Sequence, residues 1–153
     1  MAAAYDRAVN YELYMAEALA EARAAAVDGE RPHAAVAVLD EAMVARGHHR
    51  VRETGDPTAH AVVVALREAA RRVGADRLRD VTIFSTIEPC AMCVGALLAS
   101  DVEELVFAAP NPVDGAAGSV LQVADHPSLA RRLRVVSGIR RAEAEELYAA
   151  TAT

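Results

Sequence analysis

Hydrophobic and polar positions along the first third of the chain follow a helical period and then a strand period. Helical spacing over residues 5–27 predicts an amphipathic helix whose apolar stripe is formed by Leu13, Ala16, Leu19 and Ala20. Asp28-Gly29 is a typical end for this helix. Two short apolar runs follow at 35–39 and 42–45, and Asp40-Glu41 between them predicts a hairpin turn.

Helices and strands alternate over the rest of the chain. Residues 47–57 are polar and predict a loop, and Thr58 is a suitable N-cap for a helix at 59–72 that Gly74 ends. Three strands are predicted at 81–86, 104–108 and 133–136, helices at 90–99 and 140–150, and a loop at 111–119. This order predicts a three-layer α/β/α fold with a mixed five-stranded sheet, forming one domain over residues 1–153.

Metal-binding side chains are concentrated in DPTAHAV at 56–62 and TIEPCAMC at 86–93. A Cys-x-x-Cys at a helix start lets both sulfurs face one point, and the helix dipole favours thiolates there. His60 lies near the start of the preceding helix. Because zinc takes Cys and His ligands in tetrahedral geometry, His60, Cys90 and Cys93 predict a zinc site. A redox dithiol and a buried core histidine are the alternatives for these residues.

Composition limits the classes of function. The chain has 153 residues, 54% of them hydrophobic, which is enough for one domain with a real core. Its net charge of −6 argues against a polyanionic partner, although charge can be local, as in the arginine cluster at 131–141. No stretch approaches the roughly 20 apolar residues of a membrane span, and no secretory signal is recognisable, so we expect a cytoplasmic protein.

Three segments resemble the tRNA adenosine deaminase branch of the cytidine deaminase-like superfamily: DPTAH at 56–60, TIEPCAMC at 86–93 and DGAAGS at 114–119. The resemblance implies a cytidine deaminase-like fold in which His60, Cys90 and Cys93 hold Zn²⁺. It also implies hydrolytic deamination of an amino-purine or amino-pyrimidine, with Ala61 and Asn111 among the residues that line the substrate pocket.

Val62 departs from the family pattern, which has a glutamate two residues after the histidine as general acid/base. A valine transfers no proton, and positioned acid/base groups typically contribute about 10²–10⁴-fold to the rate. Weak or absent activity as a standard deaminase is therefore expected; alternatively, Val62 is a packing residue without a role. Glu88 and His49 are possible substitute proton carriers, although Glu88 also suits a loop-holding role and His49 an ordinary loop histidine.

The expected ligand is a small nucleobase or nucleoside. His33 stands where the family has a small apolar pocket residue, and His49 where it usually has an asparagine, so both are predicted to contact substrate. The loop at 109–114 lacks Lys and Arg, which makes tRNA an unfavoured but not excluded partner.

Three functions stay open at this point: an inactive deaminase-like subunit, an active hydrolase with a different proton carrier, and a base-binding module. The first resembles the silent subunit of the eukaryotic tRNA-editing heterodimer, which also has valine at this position. We expect a homodimer, or a heterodimer with a Glu-bearing paralogue, formed through the helices next to the zinc. Val94, Leu97 and Leu98 supply either that surface or the core.

Overall fold

The computed structural model describes the backbone of residues 2–151 and the side chains of residues 11–151. The helices and strands follow one another as α1 (Ala2–Val27), β1 (Ala34–Leu39), β2 (Ala42–His48), α2 (Val51–Thr54), α3 (Ala61–Val73), β3 (Thr82–Ile87), α4 (Ala91–Ala99), β4 (Glu104–Ala109), β5 (Arg134–Ser137) and α5 (Arg141–Thr151). A 3₁₀ helix, Ala75–Asp80, precedes β3. None of the described helices is both long and apolar enough to cross a membrane.

The five strands form one mixed sheet in the order β2-β1-β3-β4-β5. β1 is antiparallel to β2 and β3, whereas β3, β4 and β5 are parallel. The start of β1 therefore lies beside the carboxyl end of β3, where Ala35 pairs with Ser85. The end of β2 lies at the same edge, because Ala34 pairs with His48. One edge of the sheet thus gathers the residues before β1, after β2 and after β3.

Alternate residues of the strands pack into two hydrophobic layers, one on each face of the sheet. Ala37, Ile83 and Leu105 pack with α3 and α4 on one face. Val36, Phe84 and Val106 pack with α1 and α5 on the other face. The predicted three-layer α/β/α fold with a mixed five-stranded sheet is confirmed.

Two predicted local features are wrong. Thr58 does not cap a helix, because α3 begins at Ala61 with His60 as its N-cap, and the Thr58 hydroxyl instead donates to Asp56 Oδ1 at 2.7 Å. The segment predicted as a polar loop at 47–57 contains the end of β2 and the short helix α2. The predicted Asp40-Glu41 turn is present, and both residues have positive φ values of 51° and 61°.

The structure decides between the two roles left open for the apolar residues of α4. Val94 and Leu97 are fully buried within the chain's own core. Leu98 is only partly buried. The core role is therefore correct for Val94 and Leu97, and neither is available as a partner surface.

Candidate metal centre and base pocket

The three predicted metal ligands lie at the starts of two neighbouring helices. His60 and Cys90 are the N-cap residues of α3 and α4, both on extended backbone, with ψ values of 154° and 176°. Cys93 lies in the first turn of α4 and is buried. Neither N-cap side chain bonds to its own helix, so the imidazole and the thiol are available for a metal.

The spacing of the donor atoms fits a tetrahedral zinc ion. His60 Nδ1 lies 3.6 Å from Cys90 Sγ and 3.7 Å from Cys93 Sγ. A zinc ion with normal Zn–N and Zn–S bond lengths places such atoms about 3.6 Å apart. Three protein ligands leave the fourth position for water or substrate, as in catalytic zinc sites. One histidine and two cysteines are thus placed to hold a zinc ion.

The charges of the two thiols also suit a cation. Contact with Cys93 lowers the pKa of Cys90 to about 5, against an opposing effect of burial, with a smaller contribution from His60. The Cys90 contact and burial raise the pKa of Cys93. Two adjacent thiolates repel each other, and a divalent cation between them removes this conflict because ligating thiols are deprotonated.

The pocket beside these ligands contains every site residue that the sequence singled out. It is lined by His33, His49, His60, Ala61, Val62, Glu88, Cys90, Cys93 and Asn111, which come from five separate segments. Sequence reasoning missed five further lining residues: Arg31, Ser85, Ile87, Pro89 and Asp114. Arg31 stands in the loop before β1, outside every motif, and Asp114 opens the DGAAGS segment, which was used only as evidence for the resemblance.

Val62 is the second residue of α3 and is 3% exposed. Its side chain lines the pocket and also belongs to the hydrophobic core between α3 and the sheet. The resemblance of the sequence motifs implies a proton-transferring carboxylate at this position. An isopropyl group stands there instead, and it neither accepts nor donates a proton.

Glu88 is fully buried and holds the loop after β4. Its carboxylate accepts hydrogen bonds from the backbone N–H groups of Asn111 at 3.1 Å, Ala117 at 2.9 Å and Ser119 at 3.0 Å, and from the Ser119 hydroxyl. Burial tends to raise the pKa of Glu88, but these hydrogen bonds outweigh it and lower the pKa. This geometry favours the loop-holding role, because the carboxylate already accepts hydrogen bonds from the loop and these bonds keep it ionised.

The same loop explains the glycine of the DGAAGS segment. A Cβ atom on Gly115 would lie 2.6 Å from the Asn111 carbonyl oxygen and 2.6 Å from Glu88 Cδ. Asn111 is itself engaged in the loop, because its Oδ1 accepts from Asp114 N and its Nδ2 donates to Asp114 Oδ1. Only glycine lets the loop approach Glu88 this closely.

His49 and His33 line the pocket on the side of the His60 ring. The His49 ring lies 5.6 Å from the His60 ring and 6.2 Å from the His33 ring, centroid to centroid. Burial, then the neighbouring His60 and Arg31, lower the pKa of His49. The backbone N–H of His49 donates to the His33 carbonyl at 2.9 Å, which ties the two residues together.

Comparison with known proteins gives consistent results. The family of cytidine and deoxycytidylate deaminase zinc-binding regions matches residues 8–109. The chain is 40% identical over 129 residues to the tRNA-specific adenosine deaminase of Bacillus subtilis (strain 168), covering 84% of this chain and 80% of that protein. It is 45% identical over 118 residues to the chloroplastic tRNA(adenine(34)) deaminase of Arabidopsis thaliana, covering 77% of this chain but only 9% of that protein.

A solved structure from a study of A-to-I editing by tRNA:A34 deaminases superposes with a TM-score of 0.84 and 36% identity, covering 88% of this chain and 97% of that chain. The family match and the similar fold thus agree with the zinc site that the distances between the donor atoms indicate. The chain belongs to the cytidine and deoxycytidylate deaminase zinc-binding family.

Proposed function

We propose that the protein binds an adenosine of RNA in the pocket beside its zinc site and deaminates that base far more slowly than a relative with the family's glutamate. The observation that carries this proposal is Val62, whose buried side chain lines the pocket where the family signature has a carboxylate. A zinc ion held by His60, Cys90 and Cys93 would supply the Lewis acid that activates water. Proton transfer to the base then needs a side chain that Val62 does not provide.

RNA is proposed as the substrate because the relatives of this chain are named as tRNA adenosine deaminases. Sequence alone favours a free base or nucleoside, because the chain is acidic and its 109–114 loop lacks Lys and Arg. The similarity to tRNA-specific adenosine deaminases extends over most of this chain, and over most of the Bacillus protein. Arg31 at the pocket supports an anionic ligand, because its guanidinium forms no ion pair within the described residues.

A second candidate is a slow deaminase that uses His49 as proton carrier. Its ring makes no hydrogen bond within the described part of the chain, and it lies 5.6 Å from the His60 ring. A neutral imidazole can accept a proton, and the lowered pKa of His49 keeps its ring neutral but makes it a weaker base. His49→Gln separates the two candidates, because it should abolish any residual turnover only when His49 carries the proton.

The test of the main proposal is Val62→Glu in the zinc-loaded protein, with a short RNA stem-loop carrying one loop adenosine as substrate and inosine as the measured product. We expect the rate to rise by about 10²-fold or more, the usual contribution of a positioned acid/base group. Val62→Gln is the matched control, because it has the same size but does not ionise, and it should not raise the rate.

Two results would contradict the proposal. One is turnover by the unmodified protein within tenfold of the Val62→Glu rate, which would show that another group transfers the proton. The other is failure of the unmodified, zinc-loaded protein to bind the stem-loop, which would remove RNA as the ligand.

A further inference from the structure

A line of aromatic rings joins the zinc pocket to the C-terminal helix. The Tyr148 ring on α5 meets the His33 ring edge-on, with centroids 5.4 Å apart and planes at 82°. His33 in turn lies edge-on to His49, which lies next to the ligand His60. His33 therefore contacts α5 through Tyr148 and the loop after β2 through His49.

His33 is one of the residues that line the pocket. Its backbone is fixed, since its N–H donates to the Arg31 carbonyl at 2.8 Å and its carbonyl accepts from His49 N. Its ring makes no hydrogen bond within the described residues. Burial, followed by the charges of His49 and Arg31, lowers the pKa of His33 to about 4, so the ring is neutral at pH 7. A neutral imidazole offers one donor and one acceptor.

Tyr148 supports this ring from behind and does not line the pocket. Its ring packs on the hydrophobic layer formed with α1 and β1. Its hydroxyl is buried without a hydrogen-bond partner of normal geometry in the described structure. Burial raises the pKa of this hydroxyl, an effect that the nearby Thr86 hydroxyl only partly opposes. Tyr148 therefore contacts the site through its ring, which packs edge-on against the His33 ring.

We propose that His33 selects the base by a hydrogen bond between its ring and N3 or N7 of the purine, and that Tyr148 is the positioning residue that fixes the His33 ring. This inference rests on the proposed function, since it assumes that a purine enters the pocket. A site built to hydrogen-bond a ligand group rejects the analogue that lacks the group, because the site's own polar atom is then left unpaired.

The experiment measures binding of the zinc-loaded protein to three RNA stem-loops that differ in one loop base: adenosine, 7-deazaadenosine or 3-deazaadenosine. The unmodified protein should bind adenosine about tenfold more tightly than one of the two analogues, which is the upper range for one hydrogen bond. His33→Val should bind all three within about twofold of one another, because an aliphatic side chain distinguishes none of them.

Two variants of Tyr148 test its role. Tyr148→Phe keeps the ring and should retain the discrimination, whereas Tyr148→Ala should reduce it toward the His33→Val value. A merely structural role would weaken binding of all three RNAs equally and leave their ratio unchanged. Zinc content and near-UV circular dichroism of each variant verify folding.

The outcomes separate this inference from the proposed function. Discrimination that survives His33→Val, or is absent from the unmodified protein while adenosine RNA still binds, overturns the inference alone. A Tyr148→Ala ratio equal to that of the unmodified protein overturns the positioning role. Failure to bind any of the three RNAs overturns the proposed function and this inference with it.

Discussion

At the residue scale, the metal centre depends on two N-cap positions that carry ligands. N-cap residues usually bond to their own helix through serine, threonine, aspartate or asparagine. The side chains of His60 and Cys90 occupy these positions without a capping hydrogen bond. Both helix starts therefore lack the stabilisation that such a bond usually provides. The ligand side chains are thereby directed at a common point, and we expect bound zinc to return stability to this region.

Cys90→Ala tests this dependence. The variant should lose almost all of its zinc, measured by plasma mass spectrometry after gel filtration, and its melting temperature should fall because metal binding is coupled to folding. A chelator should lower the melting temperature of the unmodified protein but not that of the variant. Met92→Ala, an exposed change on the same helix, is the control and should keep the metal. Normal zinc content in Cys90→Ala would refute the ligand assignment.

The zinc ligands could be predicted from sequence motifs, whereas the aromatic residue behind the pocket could not. Cys90 and Cys93 were predicted as zinc ligands from their Cys-x-x-Cys spacing at a helix start, and His60 from its place at the start of the preceding helix. Tyr148 was not identified, although it contacts His33, because 115 positions separate the two and no short-range pattern connects them. Residues that enter a site through tertiary packing carry no local signal.

At the element scale, short apolar runs bounded by turn residues predicted the strands to within one or two residues, except for β2, which extends three residues further, to His48. The face of α1 was predicted less well. Leu13, placed on the apolar stripe, is 52% exposed, whereas Met15, Ala18 and Ala22 are fully buried. Alanine occurs on both faces of this helix, so its hydrophobic contrast is low and the periodicity does not identify the buried face.

The packing of α3 on β2 depends on Gly47. A Cβ atom at this position would lie 2.8 Å from Val64 Cγ1 and 2.9 Å from the Ala65 backbone nitrogen. Since the backbone nitrogen cannot move without shifting α3, Gly47→Ala should lower the free energy of unfolding by about 1–3 kcal/mol, the usual cost of overpacking. Urea unfolding of the zinc-loaded protein measures this change.

Gly95→Ala is the matched control for that experiment. Gly95 lies within α4, and a Cβ atom there meets nothing within 4 Å. Alanine should therefore raise the free energy of unfolding by up to about 1 kcal/mol through its better helix propensity. Equal stability of Gly47→Ala and the unmodified protein would show that the strand and helix are less closely packed than the structure indicates.

At the scale of the whole molecule, the charge distribution bears on RNA binding more than the net charge of −6 does. Most arginines of the described chain are paired with carboxylates, as Arg134 is with Glu104 and Arg46 is with Glu17 and Glu21. Arg31 makes no such pair among the described residues and lies at the pocket. The guanidinium of Arg31, unpaired among the described residues, is therefore available to an anionic ligand at the pocket, although the protein as a whole is acidic.

Arg31→Gln tests whether this guanidinium contacts a phosphate of bound RNA. We expect weaker binding of the adenosine stem-loop and a plot of log affinity against log salt whose slope is smaller by about 1, the effect of losing one phosphate contact. Arg79→Gln is the control. Arg79 is an exposed arginine of the 3₁₀ helix before β3, at the other end of this strand, and its guanidinium donates to the Asp76 carbonyl. An unchanged slope in Arg31→Gln, or an equal change in Arg79→Gln, would show that RNA phosphates do not meet Arg31.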